Sequence, residues 1–399
     1  MAIACRKTGG DEGSRSPSDV SIEEIRVASS GRSTVRGAIE EIAAGLADAD
    51  VGFLLLFSSP HYDPEELVRE LGRALPQTAY AGCSTAGEIG PDGLAASSVV
   101  ALAFPSATFR IACTPLADLD RFSLETGHDV VDHLQRLLPS VPDRTCGTFA
   151  LTLLDGLCRR EELVLAALQR ALTDIPLVGG SSGDDLAFRD TYVFTDGRVL
   201  RGAGLLLLVC TELPFRVFKS DHFEPTATRM VVTACDPETR VVSELDAEPA
   251  WEVFARATDL DPRDLSGVTF AAHPLLVRVG GDYYCRSIQK LNEDGSLSFY
   301  CAIDTGVVLT AAKTKDLVDN LEETLVGLDA DLGGLDFVIG FDCVHRRLEA
   351  ESRQVTQRIS DLFRRWRVVG FNTYGEQYNS MHLNHTFSGV AFGRGRAAR

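Results

Sequence analysis

Three stretches decide the fold: Gly82-Cys-Ser-Thr-Ala-Gly-Glu88, Gly179-Gly-Ser-Ser-Gly-Asp184 and Gly370-Phe-Asn-Thr-Tyr-Gly-Glu376. The first and third share the pattern G-x-[Ser/Asn]-T-x-G-E; the second is one residue shorter and ends in Asp. Each follows an apolar run at 51–57, 148–154 or 337–341, short enough to be a buried strand. Between run and loop lie a helical segment (opened by Asp63-Pro64-Glu65-Glu66 in the first copy, then 160–171 and 348–364) and a short strand. The separations Phe53 to Gly82, Phe149 to Gly179 and Phe337 to Gly370 are 29, 30 and 33 residues. An apolar strand at 98–104, 204–210 or 386–392 closes each copy.

A strand and helix also precede each copy, expected at 24–28 with 34–46, 108–113 with 124–137, and 299–309 with 314–325. The whole is a repeat of roughly 90–100 residues. The segment 215–296 falls outside it. It reads as strands at 215–222, 229–234, 268–279 and 283–290 with one helix at 248–258, and Asn292-Glu-Asp-Gly295 signals a hairpin turn. The fold class is therefore α/β (mixed α+β): two domains with mixed sheets, built from three copies of a β-α-β-α-β-loop-β unit. The expected division is a disordered tail at 1–21, an N-terminal domain of two repeats at 22–213, a C-terminal domain at 214–393 and a basic tail at 394–399.

The chain has 399 residues, enough for two to three domains at about 150 residues each. Its net charge of −18 argues against nucleic acid and against docking on an anionic membrane, because both need a basic face. No window approaches 18 consecutive apolar residues and the N-terminus offers no signal peptide, so a cytoplasmic location is expected. None of the ten cysteines forms a C-x-x-C pair, which leaves zinc ribbons, thioredoxin chemistry and c-type haem attachment unsupported.

The loops supply the candidate ligand-binding residues. Glycine lets backbone approach a ligand closely, and successive N–H groups can cradle an anion. Gly82, Ser84, Thr85, Ser181, Ser182, Thr373 and Tyr374 fit that role, with the carboxylates Glu88, Asp184 and Glu376 ending the loops. Arg346 or Arg347, after the third apolar run, would pair with a carboxylate. Neither a Walker A loop nor G-x-G-x-x-G is present. Cys83 reads as a small loop residue, since Gly180 and Phe371 replace it in the other copies. The acidic pairs Glu65-Glu66, Glu161-Glu162 and Glu322-Glu323 read as solvated helix faces. With no coherent nucleophile and base, the chain is expected not to be an enzyme.

Ala81-Gly-Cys-Ser-Thr-Ala-Gly-Glu-Ile89 and Leu177-Val-Gly-Gly-Ser-Ser-Gly-Asp184 resemble the FIST N-terminal domain. Phe341-Asp-Cys-Val-His-Arg-Arg347, Gly370–Glu376 and Asn384-His-Thr386 resemble the FIST C-terminal domain. That resemblance implies an intracellular sensory protein for small ligands. A narrower resemblance, carried by Val231-Val-Thr233, Arg278-Val-Gly-Gly281, Arg286-Ser-Ile288, Asn292–Leu297, Cys301-Ala-Ile303 and Tyr374-Gly-Glu-Gln-Tyr-Asn-Ser-Met-His382, is to nitric-oxide-sensing FIST haemoproteins. It implies haem b and a signalling partner, a histidine kinase or cyclic-di-GMP enzyme, acting in trans, with a homo-oligomer also compatible. No axial ligand comes with it; chemistry alone ranks His382, then His222, then His273. The alternatives are a FIST sensor for an amino acid or carboxylate, and an enzyme using Cys83 or an acid pair.

Overall fold

The computed structural model describes residues 24–138 and 147–394; the tail expected at 1–21 and most of that at 394–399 lie outside them. The fold is mixed α/β, and it has two bodies: one made of the three repeats, the other an antiparallel sheet inserted into the third.

Each repeat builds a sheet with the same strand order. In the first, Arg26–Ser30, Val99–Phe104, Phe53–Ser58 and Tyr80–Ser84 lie side by side, the last two parallel. The second uses Phe109–Leu116, Gly204–Thr211, Gly147–Leu154 and Leu177–Ser181 in the corresponding places. The third uses Phe215–Ser220, Phe387–Gly393, Leu335–Cys343 and Val368–Thr373. The parallel pair in each needs a helical crossover, supplied by Pro64–Ala74, by Glu161–Leu172 and by the broken pair Val344–Ser352 and Thr356–Arg365.

Every sheet is completed by a hairpin that belongs to a different repeat. Glu88–Gly90 with Gly93–Ala95, from the first repeat, pairs with Val368–Thr373 of the third. Val193–Thr195 with Arg198–Leu200, from the second, pairs with Tyr80–Ser84 of the first. Glu376–Tyr378 with Met381–Leu383, from the third, pairs with Leu177–Ser181 of the second. The exchange is cyclic, and it closes three sheets into one ring. The boundary expected near 213–214 falls where the second closing strand ends and the third sheet begins, and hairpins cross it in both directions.

The central strands explain why the apolar runs are continuous. Phe53, Leu55 and Phe57, Phe149, Leu151 and Leu153, and Phe337, Ile339 and Phe341 face a common core between the sheets. Rings from different repeats touch there, with Phe57 and Phe371 at 4.7 Å and Phe109 and Phe392 at 5.6 Å between centroids. The alternate residues Leu54 and Leu56, Ala150 and Leu154, and Val338 face outward under helices. Both faces of each strand are therefore dry, the pattern of a sheet covered on both sides.

Much of the expected loop sequence is strand, and its glycines are required by strand contact rather than by a ligand. A Cβ on Gly370 would lie 1.7 Å from the Gly340 carbonyl oxygen, and one on Gly179 would lie 2.1 Å from that of Thr152. The residue two before each closing strand has left-handed backbone: Ser97 (φ 56°), Gly202 (φ 58°) and His385 (φ 54°). This shared backbone feature goes with the common strand order of the three sheets.

Two expectations are corrected here. The third repeat opens with Phe215–Ser220 and not at 299–309; its helix Leu317–Leu332 arrives only after the inserted body. That body has the strands Phe223–Asp236, Val241–Leu245, Leu275–Val279, Asp282–Arg286, Ile288–Leu291, Leu297–Phe299 and Val308–Thr314. Its own core centres on Val232, Phe254, Phe270, Leu297 and Leu309. Within 268–279 the chain first forms helix Gly267–Ala272 and only then a strand.

The loop carboxylates act as latches. Glu376 accepts from the Thr373 hydroxyl, from Thr386 N at 3.2 Å and from Thr386 Oγ1 at 2.7 Å. Glu88 repeats this with the Thr85 hydroxyl, Ser98 N at 3.1 Å and Ser98 Oγ at 2.7 Å. Each fastens the root of an exported hairpin to the closing strand of its own repeat. In the second copy Val193 occupies the register position of Glu88 and Glu376, so Asp184 is not their equivalent. Asp155 takes over the latch, accepting from the Thr191 hydroxyl, Gly202 N at 2.6 Å and Leu157 N at 3.0 Å. Burial pushes the Glu376 carboxyl up to about 8 against the pull of Thr373 and Thr386. Its folded-state value is thus above the unfolded one, and its contribution to stability is full below the ordinary carboxylate range and lost as pH rises toward 8. Thermal unfolding between pH 5 and 8 should show a Tm decline that is smaller in Glu376→Gln, whose amide stays neutral throughout.

Candidate functional site

The three loops converge at the ends of the parallel strands, where ligand sites of α/β sheets commonly lie. Their N–H groups are spent on one another: Ala86 N donates to Asn372 O at 2.9 Å, Gly183 N to Ser84 O at 3.1 Å and Ser181 N to Gly375 O at 2.8 Å. Ser84, Thr85, Ser181, Ser182 and Thr373 are fully buried. Tyr374 donates its hydroxyl to Asp184 and accepts from Leu186 N at 2.8 Å. Asp184 also accepts from Phe188 N at 2.8 Å, Arg189 N at 2.6 Å and Asp190 N at 3.0 Å. Burial would raise the Asp184 carboxyl, but Tyr374 and these amides together lower it. The expected anion cradle is thus a knot that holds the three repeats together. Cys83 sits fully buried in the strand Tyr80–Ser84, and burial raises its thiol well above the usual range, the reverse of what an activated cysteine needs.

Against this knot lies a seam of buried charge under the inserted body. His222 stands at the neck of the insertion, where its carbonyl accepts from Lys315 N at 2.7 Å as the chain returns. Its ring bonds Glu349 Oε2 at 2.8 Å through Nε2, and Nδ1 lies 3.0 Å from Arg346 Nη1. Arg346 in turn donates to Asp342 Oδ1 at 2.7 Å, and Asn372 donates to Asp342 Oδ2 at 3.2 Å. Asp342, Arg346, His222 and Glu349 are each at most 4% exposed. Such a set persists only when every charge has a partner. Arg346 is therefore a structural clamp in this arrangement, and Arg347 is likewise occupied, by the Ala86 carbonyl and by Glu351 at 2.9 Å.

The seam continues through residues that, His382 apart, sequence reasoning assigned to no site. His345 Nδ1 and His385 Nε2 share one hydrogen bond of 2.8 Å, and burial holds His345 down to about 4, so the pair is neutral near pH 7. Tyr300 packs edge-on against His345 at 5.0 Å. Beyond it come Cys301, Asn384, His382, Glu161, Glu162 and Arg240. Arg240 Nη2 bonds Glu161 at 2.7 Å and Glu162 at 2.8 Å. Glu161 is 2% exposed, so this acidic pair is not the solvated face it reads as in sequence. The inserted body, which brings Arg240 and Tyr300, and the third repeat's strand Met381–Leu383 together make that helix face an interior one.

The seam opens on a cleft of about 380 Å³ lined by Gly156, Leu157, Arg159 and Phe188 on one side and Arg240, Gln289, Lys290 and Phe299 on the other. One wall is the second repeat, at the ends of its parallel strands; the other is the inserted body. Three cations, an aromatic ring from each side and the backbone of Gly156 converge there.

The ranked histidines do not fit a haem in this arrangement. His222 has both ring nitrogens engaged. His273 spends Nδ1 on Thr269 O at 3.0 Å and lines neither that cleft nor the other described one beside Arg229. His382 packs so closely that a Cβ on Gly375 would lie 2.1 Å from its Cε1, and its neighbours are Glu162 and Cys301 rather than an apolar slot. Among the described helices none is long and apolar enough to cross a membrane.

Comparison with known proteins gives matches to the FIST N domain over residues 52–248 and to the FIST C domain over residues 250–379. An uncharacterised protein of Methanocaldococcus jannaschii is 27% identical over 276 residues, covering 62% of this chain and 52% of that protein. The chain therefore spans about half the length of the curated relative it matches.

The clamp yields a stability prediction. Arg346→Met, which strands the Asp342 carboxylate in the interior, should cost about 3–5 kcal/mol in urea unfolding. Adding Asp342→Asn should recover a large part of that loss.

Proposed function

Because the chain belongs to the FIST family, with both its N and C domains, we propose that it is a cytoplasmic sensory protein that binds a small anionic ligand, an amino acid or carboxylate, in the cleft between repeat 2 and the inserted body. The observation that carries this reading is the division of the cleft's walls: Arg159 and Phe188 belong to one body, Lys290, Gln289 and Phe299 to the other. A ligand bridging them fixes the two bodies relative to each other, and that difference is what a sensor transmits.

The residues divide the work. Arg159 and Lys290 supply charge for a carboxylate, and Gln289 and the Gly156 backbone supply neutral hydrogen bonds. Phe188 and Phe299 cover the apolar part. Arg240 cannot be the main anchor, because Glu161 and Glu162 already neutralise it. The neck residues His222, Arg346 and Glu349 lie where a tilt of the inserted body is felt by the third repeat. Output would pass to a histidine kinase or cyclic-di-GMP enzyme, the partner that the narrower resemblance to nitric-oxide-sensing FIST proteins implies.

The test is a thermal-shift screen of amino acids and carboxylates on the full chain, followed by calorimetry. A hit should weaken about 10–100-fold in Arg159→Ala and in Lys290→Ala, the loss expected for one charged hydrogen bond. Hemin belongs in the same screen. A stoichiometric Soret band that shifts on nitric oxide, with no response to any carboxylate, would replace this reading with the haem b one.

A further inference from the structure

Where the seam meets the cleft, three donors of different chemistry come together from three distant parts of the chain. Glu162 lies in helix Glu161–Leu172 of the second repeat. Cys301 follows strand Leu297–Phe299 of the inserted body, and His382 lies in the exported hairpin strand Met381–Leu383. A carboxylate oxygen, the thiol sulfur and an imidazole nitrogen all lie within 4.8 Å of one another. No two of these residues are close in sequence, which is why no metal-ligand spacing appears in it.

We propose that Glu162, Cys301 and His382 bind one divalent transition-metal ion of borderline softness, zinc being the type. The donor set of one thiolate, one imidazole and one carboxylate is a zinc set. Tetrahedral bonds of about 2.0–2.3 Å set donors about 3.3–3.8 Å apart, so a contraction of roughly 1 Å closes the site. The charge balances: a thiolate and a carboxylate offset a divalent cation, and Glu161 remains to neutralise Arg240.

Three further observations point the same way. His382 Nδ1 is buried without a hydrogen-bond partner, as His385 Nδ1 is further along the seam, but His382 alone of the two has a carboxylate and a thiol within reach of a shared ion. Gly375 leaves room for the imidazole where a side chain could not, so the ring is held in one place. Asn384 is fixed by its donation to Tyr374 O at 3.2 Å, and its Oδ1 lies 2.7 Å from Cys301 Sγ. The fourth position falls to that oxygen or to a water from the cleft. Before metal arrives Cys301 is a thiol, because burial pushes it up to about 12, and binding releases its proton to solvent as the Cys301 sulfur–metal bond forms. The ion would staple the second repeat, the third repeat's hairpin and the inserted body at one point. This inference stands independently of the ligand in the cleft.

The test is titration of the chelator-treated full chain with cobalt(II), then zinc(II). One equivalent of cobalt should give a thiolate-to-metal absorption in the near ultraviolet that zinc abolishes. Cys301→Ser should lose the band. His382→Gln and Glu162→Gln should weaken binding by at least about 10–100-fold, the loss that changes around a metal site already cause. Cys285→Ser, a buried neighbour outside the donor set, should keep it. If circular dichroism shows that Cys301→Ser does not fold, the partly exposed Glu162 carries the decision through Glu162→Gln. No binding near one equivalent, or an unchanged band in a folded Cys301→Ser or unchanged affinity in Glu162→Gln, would overturn the site.

Discussion

The structure depends on the cyclic exchange of three short hairpins. Each sheet ends in a strand whose outer edge would be left unpaired if the repeats were separate. The neighbour's hairpin supplies the missing hydrogen bonds: Glu88 and Ile89 pair with Phe371 and Gly370, Val193 with Cys83, and Glu376 with Gly180. No repeat can finish its sheet alone, and no two can close the ring. An edge strand left open is a route to aggregation, so a ring that closes all three is also a protective arrangement. The latches Glu88, Glu376 and Asp155 sit at the roots of these hairpins, which accounts for carboxylates buried at positions with no solvent.

The ring then determines where function can lie. Its loops knot together on the axis and leave no free amide cradle, so the polar chemistry is displaced to the side, where the inserted body rests on repeats 2 and 3. That body leaves the ring at His222 and returns at Lys315, and the clamp of Glu349, Arg346 and Asp342 holds this neck. A ligand in the cleft and a metal at Glu162, Cys301 and His382 would both act on the same contact, from opposite ends of one buried seam.

The repeat itself was legible in the sequence. Its loops stand at near-constant distance from fully apolar runs, and both faces of those runs prove to be dry. Pairing was not legible, because the exchanged strands are three residues long and their partners lie in another copy. The position of Asp184 misled for the same reason: in the second copy a longer segment separates the parallel strand Leu177–Ser181 from the exported hairpin, which moves the register to Val193, and only the ladder reveals it. The third repeat was misparsed because a whole body separates Phe215–Ser220 from Leu317–Leu332. Glu161 and Glu162 looked solvated because helix periodicity cannot report a partner that arrives from 240 and 300. Of the ranked histidines, His382 does lie at a donor cluster, but its companions are a carboxylate and a thiol rather than an apolar slot.

Hydrogen exchange on the whole protein in rising urea, read peptide by peptide, tests the ring most directly. If exchange closes the three sheets into one cooperative unit, hairpins 88–95, 193–200 and 376–383 lose protection in the same transition as the central strands Phe53–Ser58, Gly147–Leu154 and Leu335–Cys343. Protection that persists in the first two central strands after the third has exchanged would contradict it, because repeats 1 and 2 would then be stable without the third.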